Sequence, residues 1–292
     1  MRNLPEPSRD SDRSDLSKAV RRYKYGKEER GHDITALEIE EVVKLYDCYE
    51  ANRGGACEDL KGGGLTNTLV STIHDAYEKT YEGRHLYSLR ESLFKGVDLC
   101  PICGIDPPTQ LDHQLPQSVF KPLSIHARNL VPVCQPCNSA KLAGFGEGST
   151  AFLHVYYDRL PDLDFLKADI VLNGSALVTT FAVDAAVFLP FGFTERLSGQ
   201  MHTLGLNIRY QQEVNTYVVS HAAALHLAYG AGGQESVRTI LRLQSRYETT
   251  AFHRNHWRPT LLRALTDHDA FTDGGFAVVL PIPADMLSDL AS

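Results

Sequence analysis

Two Cys-x-x-Cys pairs stand out in this chain: Cys100 with Cys103, then Cys134 with Cys137, in CPICGIDPPTQLDHQLPQSVFKPLSIHARNLVPVCQPCNSAK. Four thiolates on two knuckles complete a tetrahedral zinc shell, and a shell with no open position is structural rather than catalytic. Paired disulfides would suit an exported chain. The N-terminus MRNLPEPSRDSDRSD, however, is charged and has no apolar signal-peptide core. No βαβ pattern surrounds either pair, which weakens a redox role. Asp112, His113 and Asn129 lie inside the loop the metal would close, and Asn138 directly follows its last ligand. That combination points to metal-dependent phosphodiester chemistry.

The segments LDHQLP, ARNLVPVC and CNSAK resemble the HNH endonuclease family, in the form with a four-cysteine zinc and Asn in place of the last His. The resemblance covers about residues 98–145. It implies a ββα-metal module whose hairpin and helix hold one divalent cation against the scissile phosphate. His113 would be the base, since an imidazole titrating near 6.5 can deprotonate water at neutral pH. Asp112 and Asn138 would hold the cation, and oxygen ligands favour Mg²⁺ or Mn²⁺. Asn129 matches the family's middle Asn, which ties the intervening loop and fixes the base without touching the metal. Neighbours on a strand point to opposite faces, so Asp112 and His113 converge only at a bulge or strand end, and Pro116 agrees with a strand stopping there. Lys141, one helical turn after Asn138, together with Arg128 and Lys121, supplies candidate phosphate contacts. A solvated Lys141 is the plainer alternative.

DNA is the leading substrate, although a ribonuclease of the same fold shares the chemistry. Two non-enzymatic readings stay open: a zinc module that only binds nucleic acid, and an interaction subunit. Neither gives a reason for Asp112-His113 between the cysteine pairs. Family analogy extends the resemblance to effector nucleases of bacterial anti-phage defence, paired with an ATPase or other sensor protein.

The elements that must position these residues suggest an α+β protein: a zinc-stapled module flanked by an N-terminal helical region and a mostly helical C-terminal domain. Residues 1–33 are charged and poor in apolar residues, as a flexible tail would be. Residues 34–97 predict three helices, over 35–51 with Thr35 and Glu38 as a capping box, 66–81, and 86–94. Residues 98–145 form the module, and AGFGEGS at 143–149 marks a boundary. In 150–292, strands from Asp164 precede helices over 211–229, 234–250 and 259–265. His154, Tyr156 and Tyr157 either line the site or form a buried aromatic hook. Cys48 is expected as a small buried residue in a helix, and Cys57 has no partner in the pattern.

Arg238, Arg242 and Arg246 recur every four residues as a basic ridge whose plain reading is a solvated, paired face. The net charge of −7 opposes tight phosphate binding, so targeting is expected from a partner. The longest apolar run is broken by Asp184 and Pro190, which predicts no membrane span and a cytoplasmic protein.

Overall fold

The computed structural model describes residues 1–146, 148–283 and 286, so Glu147 of the expected boundary and most of the last nine positions lie outside the described residues. Two compact units form, Asn3–Leu160 and Met1–Arg2 with Pro161–Ser292. The division falls at Leu160 rather than within 143–149. The stretch from Phe152 to Tyr157 is buried within the first unit, where Tyr156 donates from its hydroxyl to Leu130 O at 2.8 Å.

In the first unit, α1 (Asp12–Val20) is followed by a short hairpin, β1 (Tyr23–Tyr25) with β2 (Glu28–Arg30). The expected tail is therefore folded between residues 12 and 30. Its few apolar residues are enough: Leu16, Ala19 and Val20 are fully buried. Its charges find partners, with Arg9 joined to Asp12, Asp47 and Glu50 and Arg13 to Glu40. Helix α2 (Ala36–Ala51) starts at the capping box, in which Thr35 accepts from the Glu38 amide and the Glu38 carboxylate accepts from the Thr35 amide. Helix α3 (Asn67–Asp75) passes into a 3₁₀ turn over Ala76–Thr80, so the expected 66–81 helix tightens at its end. Helix α4 (Tyr87–Phe94) completes the layer.

Against that layer pack β3 (Gln110–His113) and β4 (Leu130–Val133), antiparallel with Asp112 opposite Val131 and His113 opposite Leu130, followed by α5 (Gln135–Lys141). Leu111, Leu130 and Ala127 share a core with Leu89 and Leu93 of α4, so the helical region holds one face of the hairpin.

The second unit pairs β5 (Leu166–Asn173) with β6 (Ala176–Val183) and continues through α6 (Phe193–Thr203), α7 (Leu206–Val219), α8 (Ala222–Ala251), α9 (Trp257–Asp267) and α10 (Phe276–Val279). The expected helix over 211–229 is two helices, because the chain turns at Ser220-His221 between α7 and α8. Helix α8 kinks where Gly232 and Gly233 leave helical backbone angles. Trp257 is buried. Arg238 pairs with Asp269 and Arg242 with Glu235, which spends part of the basic ridge on ion pairs. Among the described residues no helix is long and apolar enough to cross a membrane.

Candidate functional site

Cys100, Cys103, Cys134 and Cys137 are all buried, and their sulfurs lie within 4.8 Å of one another. A tetrahedron of zinc–sulfur bonds of about 2.3 Å has edges near 3.8 Å, and the Cys103 and Cys134 sulfurs are 3.6 Å apart. The donor set therefore fits a metal ion. The first knuckle turns at Gly104, whose φ of +67° is left-handed, and Ile105 donates its amide to Cys103 Sγ at 3.4 Å. Cys134 caps α5, which puts Cys137 in its first turn and Asn138 and Lys141 on one helix face, three residues apart.

Strand alternation then sorts β3. Gln110 and Asp112 meet α5: the Asn138 side-chain amide donates to Gln110 Oε1, and Lys141 Nζ lies 2.8 Å from Asp112 Oδ2. Leu111 and His113 face the helical layer, where the His113 ring lies 4.6 Å from that of Tyr77. His113 is the last residue of β3, so the strand ends where the two side chains must serve one site.

Asp112, His113 and Asn138 line a single cleft of about 530 Å³ with Tyr77, Tyr81, Arg90 and Gln110. His113 Nε2 is 3.0 Å from Ser124 O. A carbonyl only accepts, so Nε2 carries the proton and Nδ1 holds the lone pair. Burial pulls the His113 pKa down to about 4, against the Ser124 bond that favours the charged ring. Burial raises the Asp112 pKa, and Lys141 opposes that rise.

Asn129 is fully buried and uses its whole amide. Its Nδ2 donates to Leu115 O at 3.1 Å and Leu123 O at 3.2 Å. Its Oδ1 accepts from Leu115 N at 2.8 Å and the Tyr49 hydroxyl at 3.2 Å. One side chain thus clamps both ends of the loop that carries Ser124.

The three basic residues expected at phosphate are placed differently. Lys141 is buried, bonded to Asp112 and to His113 O at 2.7 Å, and does not line the cleft; two acceptors inside the module hold its ammonium, so it is neither solvated nor presented to a ligand. Arg128 pairs with Glu6 and Glu50 and donates to Pro7 O, which turns it toward the N-terminal segment. Lys121 is exposed but does not line the cleft.

Arg90 is the cationic residue that the motif does not reach. It comes from α4, donates Nη2 to Thr109 O at 2.8 Å, lies over the Tyr81 and Phe94 rings, and keeps Nη1 buried with no hydrogen-bond partner among the described residues. Its only sequence signal is an Arg on the helix preceding the first knuckle. His154, Tyr156 and Tyr157 are buried and do not line the cleft; His154 Nε2 lies 2.8 Å from the Tyr49 hydroxyl. No protein-family model, curated protein or solved structure matches this chain.

Proposed function

We propose that this chain is an HNH-type endonuclease that hydrolyses phosphodiester bonds of DNA with Mg²⁺ or Mn²⁺. The observation that carries this reading is the shared cleft of Asp112, His113 and Asn138, with the His113 tautomer set by Ser124 O. His113 takes a proton from water at Nδ1 while Ser124 O steadies the ring. The negative charge of a bound phosphodiester raises its depressed pKa toward the working range.

The Asp112 carboxylate and the Asn138 side-chain oxygen are the hard donors for the divalent cation, which when bound supplies positive charge to the phosphate and the leaving oxygen. Asn129 holds the loop, and Arg90, which lines the cleft, is the candidate cationic contact for a phosphate oxygen. The four thiolates suit a structural zinc, and thiols held by metal accord with a cytoplasmic setting. The acidic chain and the internal commitment of Lys141 and Arg128 support a weak intrinsic grip on nucleic acid, with a partner such as an ATPase providing targeting.

Incubation of the purified protein with plasmid, linear DNA and RNA, in Mg²⁺, Mn²⁺ or EDTA, tests the reading beside His113→Ala. Metal-dependent cutting that both EDTA and the substitution abolish is the expected result. Equal cutting by the wild type and the variant would end the assignment of the base. A non-catalytic zinc scaffold is the second reading, favoured by the fact that Asp112 already has a cationic partner in Lys141. It predicts no cutting with any divalent ion.

A further inference from the structure

The turn after α2 brings together two cysteines outside the zinc motif. Cys48 and Cys57 are half-buried and unbridged, with their sulfurs 3.8 Å apart. The Asn52 side-chain amide lies 3.4 Å from Cys48 Sγ and 3.7 Å from Cys57 Sγ, so one donor can stabilise negative charge on either sulfur. The approach is built into the backbone. Asn52 N bonds Cys48 O, Gly54 N bonds Tyr49 O and Gly55 N bonds Asn52 O. Gly54 takes a φ of +77° against His154, where an added Cβ would lie 2.3 Å from the imidazole. Side-chain rotation has only to close a short gap to the ~2.05 Å of a disulfide.

We propose that Cys48 and Cys57 form a dithiol site that closes reversibly into an intrachain disulfide on meeting a low-molecular-weight disulfide such as oxidised glutathione. One protein thiol gives its proton to solvent, and the thiolate attacks a sulfur of the small disulfide. That S–S bond breaks and a small thiolate leaves. The second protein thiol loses its proton and attacks the protein sulfur of the mixed disulfide, expelling the second small thiolate. Two protein thiols are oxidised, and one small disulfide is reduced to two thiols. Burial and the neighbouring Cys57 raise the Cys48 pKa, which slows the exchange at neutral pH and speeds it in mild alkali. The site stands independently of the nuclease reading.

The test uses the full chain, zinc-loaded, equilibrated in oxidised and reduced glutathione, alkylated and mapped by mass spectrometry, with released zinc followed by a chromogenic chelator. The expected result is loss of alkylation at both cysteines and a linked peptide spanning 48 and 57, reversed by reduced glutathione without zinc release. Oxidised protein should melt higher than reduced protein, and Cys57→Ser should abolish that shift and stop at a glutathione adduct on Cys48. Two cysteines that stay alkylatable in the most oxidising buffer, or that accumulate separate adducts in the wild type, would overturn the proposal.

Discussion

The Lys141 ammonium and the Asp112 carboxylate meet at 2.8 Å between α5 and β3, with 2% and 10% of their side chains exposed. Removing one member of such a pair leaves a buried charge without a partner, at a cost of about 3–5 kcal/mol. Lys141→Met is therefore expected to destabilise the first unit by that order, read by urea unfolding. Adding Asp112→Asn should recover a large part of the loss. Single and double variants that lose stability additively would show that the pair is not coupled.

The second prediction concerns acid. His126 is fully enclosed between Tyr46 and Tyr49. Burial first, then Arg9 and Arg128, hold its pKa well below the ordinary value, while burial takes His113 down to about 4. Unfolding returns both to about 6.5, so below that pH the unfolded chain binds more protons than the folded one. The contribution of these two histidines should be flat above neutrality and fall as pH drops through 6.5, while buried carboxyls with raised pKa, such as Asp112, contribute with the opposite sign. The His113 share ends near pH 4 and amounts to about 3 kcal/mol. Urea curves between pH 8 and pH 5 of the wild type and His126→Phe give the difference in slope; a variant that loses stability toward acid as steeply as the wild type would contradict the account.

Asn129 carries the third. Replacing it with Ala leaves the buried N–H and C=O of Leu115 unpaired, while Leu123 O keeps the His126 amide; two lost partners at roughly 1–3 kcal/mol each should cost several kcal/mol. Asn129→Asp should cost more, because it turns a carboxylate oxygen toward the carbonyls of Leu115 and Leu123. Thermal melts of the two variants rank them, and an aspartate variant as stable as the parent would exclude this geometry.

Metal loss is the fourth. Cys137→Ser removes one of four donors, and structural zinc contributes roughly 10 kcal/mol or more to folding in small domains. The variant should purify without stoichiometric zinc and become open to protease between residues 104 and 133. The wild type treated with a strong chelator should behave alike. Elemental analysis with limited proteolysis reads both, and a compact metal-free hairpin would refute the dependence.

Arg90 supplies the fifth. If its guanidinium meets phosphate in the cleft, Arg90→Met should slow cleavage by roughly ten- to a hundredfold, the loss of one charge-assisted hydrogen bond of about 1.5–3 kcal/mol. Unchanged kcat/KM in a folded variant would remove Arg90 from the site.

The local grammar of the chain was readable. The cysteine spacing, the Thr35–Glu38 box and the end of β3 near Pro116 each depend on residues close in sequence. What escaped was partnership over distance. Lys141 resembles any surface lysine until α5 is laid against β3, and Arg128 cannot reveal Glu6 or Glu50 as its destination. The first thirty residues fail a test of composition because so few of them are apolar. Leu16, Ala19 and Val20 are nonetheless buried, and the acids that satisfy Arg9 and Arg13 include Asp47, Glu50 and Glu40 on α2. Cys48 and Cys57 were unpaired by motif and are joined only by the turn between them.

The cysteine pairs that meet in one cluster are separated along the chain by the whole hairpin, with Cys103 and Cys134 31 positions apart. Synthesis delivers the early pair first, and it can hold an ion only by halves until the later pair emerges. Zinc capture would thus be a completion signal for this segment. A chain stalled before residue 137, or made in metal-starved cells, would carry an unsealed loop that quality-control proteases could recognise.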